Sequence, residues 1–146
     1  MNTLILGIGN LILTDDRVGI IIARKIKEQF SHLDVVETSE AGIALLDLII
    51  GYKKLIVIDS IKTAQGKPGE IYKFGLDDLK PGLDLSSSHG IDITTVFDIG
   101  KKMGFQMPRS VIIYAIEITD NTTFGKTCTP EIEKRIPVIT RQIIDE

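Results

Sequence analysis

Three stretches of this sequence set chemically capable side chains where chemistry could use them. Thr14-Asp15-Asp16 follows the apolar run that starts the chain, Leu55-Ile56-Val57-Ile58 runs straight into Asp59, and Ser86-Ser87-Ser88 leads to His89. Two carboxylates and an imidazole suit a divalent metal of borderline softness, such as zinc or nickel. Three protein ligands leave coordination positions open for water or substrate. A metal held this way polarises a carbonyl or lowers the pKa of a bound water. Each residue also has a plainer role. Asp15 and Asp16 precede a helix, where carboxylates cap free N–H groups and favour the positive end of the dipole. Asp59 can end a strand in a turn, and His89 can be a surface residue or a hydrogen-bonding partner at a helix start. His32, in Ser31-His32-Leu33-Asp34, reads as part of a solvent-facing loop.

Other chemistries fit less well. Gly7-Ile8-Gly9 opens like a dinucleotide fingerprint, but the third glycine position is Ile12 and two acids stand where a pyrophosphate would dock. Cys128 sits beside Thr129-Pro130, a helix-start pattern that lowers a thiol pKa; the favoured reading is an ordinary small loop residue. No Gly-x-Ser-x-Gly elbow surrounds any serine.

The elements that must position these residues alternate between strand and helix, the α/β signature. Residues 3–8, 35–38, 55–58 and 110–116 are apolar runs of strand length, and those buried on both faces fit a parallel sheet. The stretch 69–73 follows a Gly/Pro turn and reads as an antiparallel edge strand. Helical spacing recurs through Val18, Ile22, Ile26 and Phe30, through Ala44 to Ile49, and through Ile93, Val96, Phe97 and Gly100. It recurs again through Ile132, Ile136, Ile139 and Ile143, where Pro137 predicts a kink. The expected architecture is an α/β single three-layer domain, a twisted, mostly parallel sheet of about five strands with helices on both faces. Ligands of such sheets bind beyond the carboxyl ends of the strands, where Asp16, Asp59 and His89 meet if their strands are parallel neighbours.

A length of 146 residues fits one domain, taken as 1–146. Seventeen basic against twenty acidic residues give a net charge of −3, which argues against nucleic acid as a partner. The single cysteine excludes an internal disulfide and a multi-cysteine zinc site, and suits a reducing cytoplasm. The N-terminus lacks a signal-peptide pattern, and no apolar run approaches the roughly 18 residues of a membrane span. The expectation is a cytoplasmic monomer without a membrane or nucleic-acid partner.

Leu-Gly-Ile-Gly-Asn at 6–10, Leu-Thr-Asp-Asp at 13–16, Val18-Gly19, Leu55 to Asp59, Pro68-Gly69 and Ser88-His89 together resemble the hydrogenase maturation proteases. These are endopeptidases that process the large subunit of [NiFe] hydrogenases. The resemblance spans nearly the whole chain. It implies an α/β fold and a nickel-binding set of Asp16, Asp59 and His89, the nickel being carried by the precursor of the large subunit. It also implies removal of a short C-terminal extension once nickel is inserted, with Asp16 or His89 assisting water. Arg17 departs from the glycine frequent in the family, and sets a guanidinium where it competes with a cation for Asp16 or docks a substrate carboxylate. The alternatives are a non-catalytic, metal-dependent binding or chaperone module for a nickel protein, which would use the same ligands, and a flavodoxin-like nucleotide or small-molecule binder.

Overall fold

The structure, a computed structural model, describes residues 2–40, 42–79 and 93–145. In chain order it runs β1 (Thr3–Ile8), α1 (Val18–Gln29), β2 (Asp34–Thr38), a 3-10 turn (Gly42–Leu45) leading into the single-turn α2 (Leu46–Ile49), and β3 (Lys54–Ile61). It continues with β4 (Ile71–Phe74), α3 (Ile93–Lys102), β5 (Ser110–Glu117) and α4 (Pro130–Ile144). The strands form one sheet in the order β2-β1-β3-β5-β4. All neighbours are parallel except β4, which pairs antiparallel with β5 at the edge, as its turn-flanked sequence predicts.

Side-chain alternation divides the core into two layers. Ile5, Ile58, Tyr114 and Ile116 face α1 and α4, where Ile22, Ile26, Ile132, Ile136 and Ile139 pack on them. Leu4, Leu6, Ile8, Leu55, Val57 and Ile113 face α2 and α3, against Leu45, Ile49, Val96 and Phe97. Both faces of β1 and β3 are therefore covered. That is why their sequences are continuously apolar instead of alternating.

Glycines at the head of the sheet serve close packing. A Cβ on Gly19 would lie 2.4 Å from the Ile58 carbonyl oxygen and 2.6 Å from that of Ile8. One on Gly7 would lie 2.6 Å from the Ala23 Cβ, and one on Gly9 2.2 Å from the Asp16 carbonyl oxygen. The first turn of α1 thus sits directly against the ends of β1 and β3. This close approach accounts for Gly7-Ile8-Gly9 without a phosphate.

Two local expectations change. β3 does not stop at Asp59 but runs on to Ile61, so Asp59 is an interior strand residue registered against Ala115 of β5. Neither Asp15 nor Asp16 caps α1, whose N-cap is Arg17 with no side-chain cap bond. The helix α4 continues through Pro137, which lies on its exposed side.

Candidate active site

The strand order places a topological switch between β1 and β3. From β1 the chain crosses by α1 to β2 on one side, and from β2 it returns by α2 to β3 on the other. A crevice opens at the carboxyl ends of such a strand pair. Asp16 follows β1 and Asp59 lies near the end of β3, so the fold brings two of the three sequence-predicted site residues to this crevice. Ser60 links them. Its hydroxyl donates to Asp16 Oδ1 at 2.7 Å and its backbone N–H donates to Asp59 Oδ1 at 2.8 Å. Asp59 is fully buried and Asp16 partly exposed. His89, the third, falls in the stretch 80–92, outside the described residues.

The two adjacent acids have opposite roles. Asp15 is 0% exposed and turns into the protein. Its Oδ2 accepts the backbone N–H groups of Thr119 (3.1 Å) and Asp120 (2.9 Å), and its Oδ1 accepts that of Thr129 (2.7 Å). The Thr129 hydroxyl donates to the same carboxylate at 3.1 Å. Asp15 thereby ties the loop after β1 to the loop after β5 and to the start of α4. Arg17 works in the same seam. It is buried; its Nε donates to the Thr14 carbonyl at 3.0 Å, and its terminal nitrogens donate to the carbonyls of Gly125 and Lys126. The guanidinium is spent on backbone carbonyls, a job the sequence alone did not reveal.

Further buried polar groups went unnoticed in the sequence. Glu117, at the end of β5, accepts the Thr63 N–H (2.8 Å), the Thr63 hydroxyl (2.6 Å) and the Tyr72 hydroxyl (3.1 Å). It clamps the β3–β4 connection to the sheet. Burial, and then the bond to Glu117, push the Tyr72 phenol up. The available signal for Glu117 and Ser60 was a polar residue interrupting an apolar strand run. Cys128 is buried in the α1/α4 layer. Burial, with Asp15 and Glu133 nearby, pushes its thiol up to about 12. The helix-start position therefore does not activate it; desolvation wins.

Among the described residues no group of three His, Cys, Asp or Glu side chains could hold a metal ion. Asp16 and Asp59 supply two oxygen donors, so any ion they bind needs a further ligand from outside that set.

Fold and crevice together define a doubly wound α/β domain with paired acids at its switch point. The chain belongs to the hydrogenase maturation protease family: the family model (HycI, hydrogenase maturation protease) matches residues 20–146. It is 24% identical over 149 residues to the hydrogenase 2 maturation protease of Escherichia coli K12, a match covering 99% of this chain and 89% of that one. Its fold matches the hydrogenase maturating endopeptidase HybD of E. coli with a TM-score of 0.79 at 22% identity, over 99% of this chain and 91% of that one. It also matches HybD from Thermococcus kodakarensis, a [NiFe] hydrogenase maturation protease, with a TM-score of 0.75 at 19% identity, over 99% and 98%. The chain is thus a peptidase of hydrogenase maturation. Among the described residues no helix is long and apolar enough to cross a membrane.

Proposed function

We propose that this endopeptidase removes a C-terminal extension from the precursor of a [NiFe] hydrogenase large subunit after nickel has been inserted. The nickel arrives with the precursor as part of the substrate. Asp16, Asp59 and His89 are the residues proposed to bind it. The observation that supports this reading is the Ser60 link at the end of β3, whose hydroxyl bonds to Asp16 and whose N–H bonds to Asp59, while Asp15 and Arg17 are committed to the loop seam. Asp59 shares its sheet face with Val57, the face covered by α3, and His89 precedes Ile93 of α3 by four residues in the sequence.

Bound nickel supplies Lewis-acid polarisation of the scissile carbonyl. Water adds to the carbonyl carbon, the C–N bond breaks, and the released amine takes a proton. Asp16, partly exposed and bonded by the Ser60 hydroxyl, or His89, takes the proton from water and returns it to the leaving amine. The cleavage uses water directly. Cys128, the sole thiol, is buried and protonated, and no serine elbow exists. Three protein ligands hold an ion weakly without substrate, so the enzyme engages only nickel-loaded precursor. We place the reaction in the cytoplasm and assign it to a monomer.

The test is incubation with its large-subunit precursor, with and without nickel, followed by mass spectrometry. The expected result is nickel-dependent loss of a C-terminal peptide, abolished in Asp16→Ala and His89→Ala. Cleavage that ignores both substitutions and nickel would overturn the proposal.

A further inference from the structure

The loop carrying Asp16 also presents an unusual surface. Leu11, Ile12 and Phe124 are 37%, 59% and 76% exposed, although they are large and apolar. They line one open groove of about 760 Å³ together with Arg17, Arg24 and Lys126, and no acidic residue among those described lines it. The Arg17 guanidinium is taken up by backbone carbonyls and Arg24 pairs with Glu37, so Lys126 is the cation this apolar surface offers a partner.

The groove is built rigidly. Leu13 and Phe124 form an antiparallel bridge. Around it, Gly125 N–H donates to the Ile12 carbonyl (3.0 Å), Thr14 N–H to the Thr123 carbonyl (2.9 Å) and Asp15 N–H to the Asp120 carbonyl (2.8 Å). Arg17 fastens the same two segments from beneath. Asp120 holds its own loop by accepting the N–H groups of Thr122 and Thr123. The apolar side chains are therefore carried on an ordered backbone ledge, which spares the loop much of its ordering cost on contact. The Asn10 N–H donates to the Asp16 carbonyl at 3.3 Å, so this loop closes on itself, with Leu11 and Ile12 in its span and Asp16 at its foot. The ledge and Asp16 thus belong to one closed loop.

We propose that the Leu11-Ile12/Phe124-Lys126 ledge docks the precursor polypeptide next to its cleavage site, through a segment that pairs apolar side chains with a carboxylate. This rests on the function proposed above. The apolar residues cover the three exposed side chains. The carboxylate pairs with Lys126, which makes no ion pair among the described residues, whereas Arg24 is already bound to Glu37 at 2.6 Å. Aromatic residues are enriched at protein interfaces, where a few anchors carry most of the binding energy.

The test compares Phe124→Ser, Ile12→Ser and Lys126→Glu with wild type. The control is Met103→Ser, an equally exposed apolar residue just beyond α3. Precursor affinity is measured by biolayer interferometry, KM and kcat by cleavage, and folding by thermal melting. Phe124→Ser and Ile12→Ser are expected to raise Kd and KM about tenfold, with melting unchanged. Lys126→Glu is expected to weaken binding and remove its salt dependence. Met103→Ser should match wild type. Wild-type affinity in the ledge variants, with cleavage intact, would overturn the ledge and leave the function standing. Binding without cleavage in the wild type would overturn the function, and the ledge would then be judged on Kd alone. If the wild type neither binds nor cleaves the precursor, both fall. Should Phe124→Ser instead convert a dimer to a monomer at unchanged KM, the ledge is a self-association surface and the proposal is overturned.

Discussion

Asp15 and Asp16 offer a sharp test, because neighbouring, chemically identical residues should fail in opposite ways. Asp15→Ala strands the part-buried N–H groups of Thr119, Asp120 and Thr129, and the Thr129 hydroxyl, around a lost carboxylate. A hydrogen bond to a charged group contributes roughly 1.5–3 kcal/mol, and a stranded buried donor costs about 1–3 kcal/mol. Four such contacts on one carboxylate do not add, and water can reach the emptied site. A loss of about 3–5 kcal/mol is therefore expected, a large part of the roughly 5–15 kcal/mol that holds a domain folded. At about 3 °C per kcal/mol for a chain of this size, Tm should fall by roughly 10–15 °C. Asp16→Asn removes one charge from a partly exposed residue held by Ser60. Its Tm should stay within about 3 °C of wild type while precursor cleavage falls by about a hundredfold or more. Paired thermal melts and cleavage assays on the two variants decide the matter. An Asp15→Ala protein melting like wild type, or an Asp16→Asn protein that cleaves normally, would refute the division of labour between them.

Other expectations follow from neighbouring geometry. Ser60→Ala should slow cleavage about tenfold with little change in Tm, and Ser60→Thr, which keeps the hydroxyl, should restore most of the rate; equal rates in both would show that the link to Asp16 is idle. Gly19→Ala would drive a Cβ into the carbonyls of Ile58 and Ile8 and should cost about 2–4 kcal/mol in chemical denaturation, whereas an unchanged midpoint would mean that α1 can shift. The Cys128 thiol, at about 12 in the fold against 9.0 in the free residue, holds its proton longer when folded. That contribution is full below pH 9 and is lost as pH rises from about 9 to about 12, so wild type should lose more stability over this range than Cys128→Ala. The same burial should leave the folded thiol unreactive to iodoacetamide at pH 8, and rapid labelling of native protein would contradict it.

Much of the architecture was legible because its causes are local or periodic. Continuous apolar runs marked β1, β3 and β5 because strands covered on both faces have no solvent side to display. Gly51 and Gly104, at φ +90° and +80°, stop the chain after α2 and α3, and the Gly/Pro turn before β4 set an edge strand apart from the parallel ones. The acids were legible as a set, since carboxylates at the ends of buried runs are costly without a purpose.

Tertiary structure decided how those acids divide. Asp15 and Asp16 look alike in the chain, and what separates them is the seam formed with residues 119–129, about a hundred positions away. Only closure of that seam supplies the N–H groups that draw Asp15 inward and the carbonyls that occupy Arg17. Ser60 gained its meaning from the parallel pairing of β1 and β3, which sets the loop after one strand against the end of the other. The hydropathy pattern spoke for the layers, because burial follows from composition along each element. The site depended on hydrogen-bond partners distant in sequence, and no local pattern encodes those.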